Sequence, residues 1–463
     1  MRKVTFLAVL MVLASCAPAP DAQVTKNRAA PAGPQDAVFA APAFAAAGGA
    51  PSLPGPGGHG TAELAATFLD LTFQMESGRT LPGFSRFDGP ITVALTGQVP
   101  PLAAGDLARV VARLQSEAGL DIRSAAPGEP ASITIEFRPK AQLRRLAPTA
   151  ACFVVPNVGS LAEFRAARGT RTVDWAAVTL RTRAAIFVPS DTSPQEVRDC
   201  LHEELAQAIG PLNDLYRLPD SVFNDDNFHA VLTPFDMLML RATYAPELAP
   251  GMSRGEVAAR IGGIFARLNP DGGGLGGVDL SATPKAWTQA IETALGSGTA
   301  LPARRNAADR ALALARAQGW QDGRLAFSHF AVARLYVGAD RSRAVAEFSK
   351  AAALYARLPG GAVQIAHIDM QLAAIALASG RPDQAIGFAD RSIPVVRATE
   401  NAALLATLTL LKAEALDDLG QPQAATRLRL DSQDAARYGF GSEAVIRQRT
   451  REIAALGAQG SRG

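Results

Sequence analysis

The residues with the clearest chemical potential lie close together in the stretch CLHEELAQAIGPLND, residues 200–214. Glu203 and Gln207 are four positions apart and share a face if the stretch is helical, while Glu204 lies one step round from Glu203. Asn213 follows where the chain would turn back. Oxygen-bearing side chains at i and i+4, with a carboxylate at i+1, can hold a metal ion beside a general base.

Local signals set the limits of this helix. Ser193 can cap its start, Pro194 suits the first helical position, and Glu196 completes an S-x-x-E capping box. Gly210 is a typical C-terminal stop. The sequence therefore predicts a helix over 194–209, with the polar residues in its second half.

This helix resembles the zinc-binding helix of metzincin metalloproteases with the zinc ligands exchanged. The metzincin pattern H-E-x-x-H-x-x-G-x-x-H/D is replaced here by E-E-x-x-Q-x-x-G-x-x-N-D. The resemblance implies that Glu203, Gln207 and Asn213 stand at the three ligand positions. It also implies that Glu204 keeps the position of the catalytic general base.

A second set of motifs follows at the spacing that the same resemblance requires. SVFNDD (221–226) matches the Ser-Val-Met turn beneath the metal, with Phe223 in the place of the Met. LTPFDMLMLRATY (232–244) matches a later helix that L-[ST]-x-x-D opens and L-Y closes. The resemblance covers residues 61–250 and implies a zincin-like fold. The stretch is also similar to an exported bacterial protein family of unknown function that carries the EExxQ signature.

The exchanged ligands change the expected chemistry. Neutral imidazoles bind zinc well, whereas the amide of Gln207 is a weak ligand, and a Glu-Gln-Asn set suits a hard cation such as calcium better. His202 does not restore the motif because its i+4 neighbour is Ala206. We therefore expect a pseudo-metalloprotease without a cofactor. The alternatives are a zinc or calcium site at Glu203, Gln207 and Asn213, or a chance match in an unrelated α+β domain.

Apolar periodicity places these motifs in a mixed domain. Strands are predicted over 90–98, 131–139 and 183–190, and helices over 62–74 and 105–120. The resulting order is helix, strand, helix, strand, strand and then the helix that carries the EExxQ signature. This order indicates an α+β domain over residues 61–268.

The N-terminus carries an export signal. Arg2 and Lys3 precede the apolar run VTFLAVLMVLA, which is too short to span a bilayer, and the run ends at LASC. This ending resembles a bacterial lipobox, which implies a signal peptide over 1–15 and lipidation of Cys16. Ala17 resembles the residue that follows the Cys in lipoproteins sent to the outer membrane. The alternative is an ordinary signal peptide with a chance Cys.

A tether is predicted between the lipidated Cys16 and the first domain. Residues 17–60 are rich in Ala, Pro and Gly and cannot bury a core. We therefore expect residues 16–60 to form a disordered connection from the membrane.

Two further cysteines, Cys152 and Cys200, remain in the exported part of the chain. Because the exported compartment is oxidising, we expect them to pair as a disulfide. The pairing would tie the start of the EExxQ helix to the segment ACFVVPN. The alternative is two buried free thiols.

The C-terminal part of the chain is predicted to be a helical repeat array. Residues 269–300 read as a linker, whose G-x-G-x-x-G follows no strand and has no phosphate-binding context. From residue 301 to 463, helical patterns repeat, and AIALASGRPDQAIGFADRSI (374–393) aligns with AEALDDLGQPQAATRLRLDS (413–432) at a period of 40. The segment resembles tetratricopeptide repeats, which implies an all-α protein-binding array. The alternative is an irregular helical bundle.

Composition and charge limit the classes of function that are expected for this chain. The chain has 463 residues, is 48% hydrophobic and has a formal net charge of +3 without a basic cluster, so nucleic acid is not an expected partner. We expect a lipid-anchored envelope protein, at the outer membrane and facing the periplasm, that binds envelope proteins or peptides without catalysis. One alternative is an envelope peptidase that uses Glu204 with an unusual metal. Another makes the front domain a spacer for the repeats.

Overall fold

The structure is a computed structural model and describes residues 58–148, 150–272 and 279–460. Within these ranges the chain divides into two compact units. The front unit contains residues up to 225 and from 229 to 280, and the helical unit contains residues 226–228 and those from 281 onward. The predicted signal peptide, Cys16 and nearly all of the predicted tether lie outside the described residues. In the described ranges, no helix combines the length and apolar character needed to cross a bilayer.

The front unit is built on one five-stranded sheet. Its strands are β1 (Ile91–Gly97), β2 (Ile122–Ser124), β3 (Ile133–Arg138), β4 (Phe153–Pro156) and β5 (Ala184–Pro189), in the spatial order β2-β1-β3-β5-β4. All neighbouring strands are parallel except β4, which runs antiparallel to β5 at the edge. Strand β5, which lies between β3 and the edge strand β4, is buried along its whole length, as strands covered on both faces are.

Seven helices surround this sheet: α1 (Thr61–Phe73), α2 (Ala103–Ala118), α3 (Lys140–Leu143), α4 (Leu161–Ala167), α5 (Pro194–Ile209), α6 (Pro234–Thr243) and α7 (Arg254–Leu268). Helix α5 packs against α2, β4 and β5, and α6 packs against α2 and α7. The main core contains Phe68, Ile135, Leu201 and Met239, all fully buried. Helix α5 is therefore held between the sheet and α2.

The sequence predicted the long strands of this sheet and missed the short ones. The predicted segments 90–98, 131–139 and 183–190 contain β1, β3 and β5. Strands β2 and β4 have three and four residues, too few to display an alternating pattern. The fold of the front unit is mixed α and β, as expected.

The helical unit contains ten further helices: α8 (Lys285–Leu295), α9 (Leu301–Ala317), α10 (Gly323–Tyr336), α11 (Arg341–Tyr355), α12 (Ala362–Leu377), α13 (Pro382–Ala398), α14 (Ala402–Asp418), α15 (Pro422–Asp431), α16 (Gln433–Phe440) and α17 (Glu443–Gly460). From α8 to α15, each helix packs against the next one in the chain. Residues 226–228 join this unit, and the ring of Phe228 lies 5.1 Å from that of Phe330.

The internal repeat seen in the sequence has a structural counterpart. Gly380 and Gly420 both adopt positive φ, 66° and 72°, in the turns that precede α13 and α15. A left-handed residue at this place favours glycine because no Cβ is present to clash. Ala385 and Ala425, one turn into those helices, are both fully buried. The period of 40 residues therefore marks equivalent helix pairs.

Two predicted boundaries differ from the structure. The predicted linker 269–300 contains α8, because Trp287 and Ile291 lie one turn apart and bury a common face. Order also begins before residue 61. His59 is buried between Glu63, at 2.6 Å, and Asp220, at 2.7 Å, so the end of the predicted tether belongs to the front unit.

Candidate functional site

Helix α5 has the limits that its sequence predicts. The Ser193 Oγ accepts a hydrogen bond from the backbone N–H of Glu196 at 3.2 Å. In return, the Glu196 carboxylate accepts one from the Ser193 N–H at 3.1 Å, and Pro194 is the first helical residue. This capping box satisfies backbone donors that a helix start would otherwise leave without partners.

Gly210 ends α5 for a steric reason that the sequence does not show. Its φ of −138° is open to any residue. A Cβ at this position would, however, lie 2.5 Å from Cδ2 of Leu240, a fully buried side chain of α6. The glycine therefore permits the close approach of α6 to the end of α5.

Arg181 closes the C-terminal end of α5, and no sequence signal indicated it. Its guanidinium donates to the carbonyl oxygens of Gln207 and Ala208, both at 2.9 Å, and of Gly210, at 2.7 Å. The guanidinium also lies over the ring of Trp175 at 4.9 Å. Burial lowers the pKa of Arg181 to about 10, so the residue stays charged at neutral pH. A cation at this end of a helix complements the helix dipole.

A disulfide joins the other half of α5 to the edge of the sheet. Cys152 and Cys200 are bonded, with their Cα atoms 6.0 Å apart. Cys152 immediately precedes β4, and Cys200 lies in the middle of α5. The bond fixes the helix beside the antiparallel edge strand.

The structure brings Glu203, Glu204 and Gln207 together on α5 and adds Glu76 from the loop after α1. The Gln207 Nε2 donates to the Glu76 Oε1 at 3.4 Å. Glu204 is 4% exposed, and its Oε2 has no hydrogen-bond partner. The segment ESGR, which contains Glu76, is polar, but the sequence does not show that it reaches this helix.

Asn213, the third position, is also buried. Its Nδ2 donates to the backbone carbonyl of Asp70 at 3.0 Å. The metzincin resemblance implies a zinc ion bound by Glu203, Gln207 and Asn213. Gln207 and Asn213 both act as hydrogen-bond donors to other parts of the front unit, and amide oxygens are weak zinc ligands. The three positions Glu203, Gln207 and Asn213 therefore do not fit zinc.

The carboxyl groups near Gln207 favour their neutral forms. Burial, together with the charges of Asp225 and Glu76, raises the pKa of Glu203 to about 8. Burial and then the charge of Glu203 raise the pKa of Glu204 well above its ordinary value. Burial and the charge of Asp225 do the same for the pKa of Asp214. Burial and like charge therefore favour the protonated form of Glu204, in which the carboxyl group can donate a hydrogen bond.

The two histidines near α5 have structural partners. The His202 Nδ1 accepts a hydrogen bond from the backbone N–H of Leu232 at 3.2 Å. The His229 Nε2 lies 2.9 Å from the carbonyl of Pro219, to which it donates. Burial lowers the pKa of both imidazoles, most strongly that of His202, so both are neutral at pH 7.

The two later motifs of the metzincin resemblance meet in space. The carboxylate of Asp236, from the LTPFD helix start, accepts hydrogen bonds from the Ser221 hydroxyl at 2.5 Å and the Val222 N–H at 3.2 Å. It also accepts from the N–H of Thr233 at 2.7 Å. Phe223 is fully buried in the turn that follows. The SVF turn and the start of α6 therefore form one hydrogen-bonded unit.

The acidic run after this turn serves the local backbone. The Asn224 side chain donates to the carbonyl of Leu218 at 2.6 Å, and the Asp226 carboxylate accepts from the N–H of Phe228 at 3.1 Å. These are turn and cap roles, typical of Asn and Asp. In residues 58–148, 150–272 and 279–460, no three His, Cys, Asp or Glu side chains converge as metal ligands would.

Comparison with known proteins gives one match. Residues 61–262 match a family model described as a protein of unknown function, DUF2927. No curated protein and no solved structure is significantly similar to the chain. The match includes α5, the edge strand and both later motifs. The front unit thus carries a DUF2927 domain of unknown function, and an all-helical region follows it.

Proposed function

We propose that the protein is a lipid-anchored envelope protein that binds other proteins without catalysing a reaction. Its front unit would be a pseudo-metalloprotease domain, in which a zincin-like cleft beside α5 binds an extended peptide. Its helical unit would be a tetratricopeptide-like array that recruits a second protein. The lipid on Cys16 would hold both at the outer membrane, facing the periplasm.

One observation carries the non-catalytic part of this proposal. The amides at two of the three ligand positions act as structural donors, Gln207 to Glu76 and Asn213 to the backbone of Asp70. These bonds hold both amides through their nitrogens, and the amide oxygens that remain are weak zinc ligands. A helix that keeps a protease's shape with such contacts favours binding over hydrolysis.

The edge strand supports peptide binding at this place. The backbone groups of Val155 point inward to β5, and those of Val154 point outward. This follows from the pairing of β4 with β5 and from the hydrogen bond that the Ala184 N–H donates to Ser132, because together they fix which side of β5 each residue faces. Among the described residues, no backbone hydrogen bond uses the outward groups of Val154. A strand edge with unused backbone groups beside a fixed helix suits the addition of one more strand from a partner.

The test uses a fluorescent library of extended peptides and the full chain. Val154→Pro removes the outward N–H but none of the bonds to β5, and proline is tolerated on an edge strand. We expect this variant to lose at least tenfold in peptide affinity. The matched control Val154→Ala keeps the N–H and should bind almost as the wild type does. Equal affinity of both variants with the wild type would exclude β4 as the binding edge.

A peptidase is the second candidate function, and one observation favours it. Glu204 keeps the general-base position, and its buried Oε2 has no partner in the front unit. The same peptide library, analysed by mass spectrometry, tests this function. Cleavage that Glu204→Gln abolishes, together with about one metal ion per chain in protein purified without chelator, would replace the binding proposal. We expect neither.

A further inference from the structure

The C-terminal helix α17 is an amphipathic helix attached by one narrow stripe. Ile453 is 1% exposed and Leu456 is 0% exposed, while Val445 on another face is 38% exposed. Ile446 is half-buried and lies seven positions before Ile453, on the same face. Arg447 and Arg451 are exposed to solvent. The spacing is that of a helix that docks its apolar stripe into a groove.

The surface beneath this stripe belongs to α12 and α14. Helix α17 packs against both, and against α16, which precedes it in the chain. Helices α12 and α14 are buried around their circumference, so α17 covers surfaces that would otherwise be apolar and exposed. Near the end of α14, a Cβ at Gly457 would come within 3.4 Å of the Asp418 carboxylate. Gly457 therefore lies close to the end of α14.

Helix α17 is attached by fewer buried residues than α14, the helix it packs on. Among residues 443–457, only Ile453, Leu456 and Gly457 are buried, whereas most residues of α14 are buried. The connection from α16 is the pair Gly441 and Ser442, and Gly441 has a φ of 81°. A single glycine with left-handed geometry can absorb the rotation that would lift a terminal helix away.

We propose that the face formed by α12 and α14 is a helix-binding surface, and that α17 is its internal, displaceable occupant. The external partner is then an amphipathic helix of another protein with the same pattern. It carries two large aliphatic residues three positions apart on one face. This inference rests on the proposed role of the helical unit in protein binding, and it does not involve the cleft beside α5.

The test uses the full chain and a fluorescent synthetic peptide of residues 443–460. Ile453→Asp with Leu456→Asp should release α17 from its surface and let the peptide bind at least tenfold more tightly than it binds the wild-type chain. Ala444→Asp with Val445→Asp changes two exposed positions of the same helix and serves as the matched control. This control should bind the peptide as weakly as the wild type does. A peptide that itself carries Ile453→Asp should bind neither variant.

Three results would overturn the inference. The first is a folded Ile453→Asp, Leu456→Asp variant that gains no affinity for the peptide. The second is a wild-type chain that binds the peptide as tightly as this variant does. The third is loss of the helical unit's cooperative melting in the variant, which would make α17 part of the core.

Hydrogen exchange provides an independent readout in the wild type, since amides of residues 446–457 should exchange faster than those of α14. None of these results depends on the Val154 experiment, so the two proposals can fail separately.

Discussion

At the scale of the residue, the polar groups of α5 are distinguished by their hydrogen-bond partners. Gln207 reaches a carboxylate from the loop after α1, and Asn213 reaches the backbone of Asp70. Glu203 and Glu204 precede Gln207 on α5 and favour their protonated forms. The chemistry of this group is therefore that of a buried, largely neutral cluster.

Because the pKa of Glu204 is higher in the folded than in the unfolded chain, the folded state holds its proton over a range where the unfolded state has lost it. The contribution of Glu204 to the free energy of unfolding is then greatest below the ordinary glutamate pKa of 4.5, and it falls as pH rises toward the pKa in the folded state. Glu204→Gln mimics the protonated form. We expect its melting temperature to equal that of the wild type near pH 4 and to exceed it by about 3 °C or more at pH 9.

Thermal melts followed by circular dichroism between pH 4 and pH 9 measure this difference. Glu129→Gln is the control with the opposite sign, because the Arg123 guanidinium lowers the pKa of the exposed Glu129 carboxyl to about 2. That variant should gain nothing at pH 9. A Glu204→Gln melting curve parallel to that of the wild type at every pH would show that Glu204 is ionised in the folded protein.

Arg181 gives a second prediction at this scale. Arg181→Ala leaves the carbonyl oxygens of Gln207, Ala208 and Gly210 without their donor inside the front unit. We expect a loss of about 3 kcal/mol in the free energy of unfolding, measured with urea. The control is Arg79→Ala, whose ion pair with Asp174 lies at the surface and should be worth about 1 kcal/mol or less. Similar losses for both variants would contradict the role of Arg181.

At the scale of the element, α5 is defined by its two ends and by what packs on it. The capping box sets its start, and the disulfide from Cys200 ties it to the edge of the sheet. Its other end is shaped by α6, which requires Gly210 for a close approach. The helix is therefore positioned by contacts on three sides rather than by its own propensity.

The contact between α5 and α6 can be tested with a double-mutant cycle. Gly210→Ala should cost about 1–3 kcal/mol because the added methyl group overlaps Leu240. Leu240→Ala alone should cost about 2–5 kcal/mol through the cavity that it leaves. The double variant should be more stable than the sum predicts, since the methyl group then occupies part of that cavity. Strict additivity of the urea-derived free energies would refute the steric explanation of Gly210.

At the scale of the whole molecule, the chain combines a DUF2927 domain with an all-helical region. Our proposal assigns a binding role to each, with a lipid on Cys16 as the common anchor. Transfer of a diacylglyceryl group from water into a bilayer is strongly favourable, so loss of the lipid should release the protein from the membrane.

Cys16→Ala tests this anchor in a bacterial host that processes lipoproteins. We expect the wild type in the membrane pellet after high-speed centrifugation and the variant in the soluble periplasmic fraction or still uncleaved. Labelling with a radioactive fatty acid should mark the wild type only. A variant that is processed and remains in the membrane would show that another part of the chain holds it there.

Features of the fold with local causes can be predicted from the chain alone. The start of α5 follows from Ser193, Pro194 and Glu196, which lie within four residues of one another. Strands β1, β3 and β5 follow from apolar patterns, and the helix pairs follow from a repeat that places Gly380 and Gly420 in equivalent turns. Capping, periodicity and positive φ all act within a few residues, so they can be predicted without knowledge of the fold.

Only the tertiary structure decided which groups meet across long stretches of chain. Gln207 and Glu76 are separated by 131 residues, and no local pattern indicates that the amide donates to that carboxylate. The same holds for Arg181 at the end of α5 and for the packing of α17 against α12 and α14. A metal-ligand spacing specifies which side chains share a helix face. The choice between metal binding and structural hydrogen bonding depends on what the rest of the fold places opposite that face.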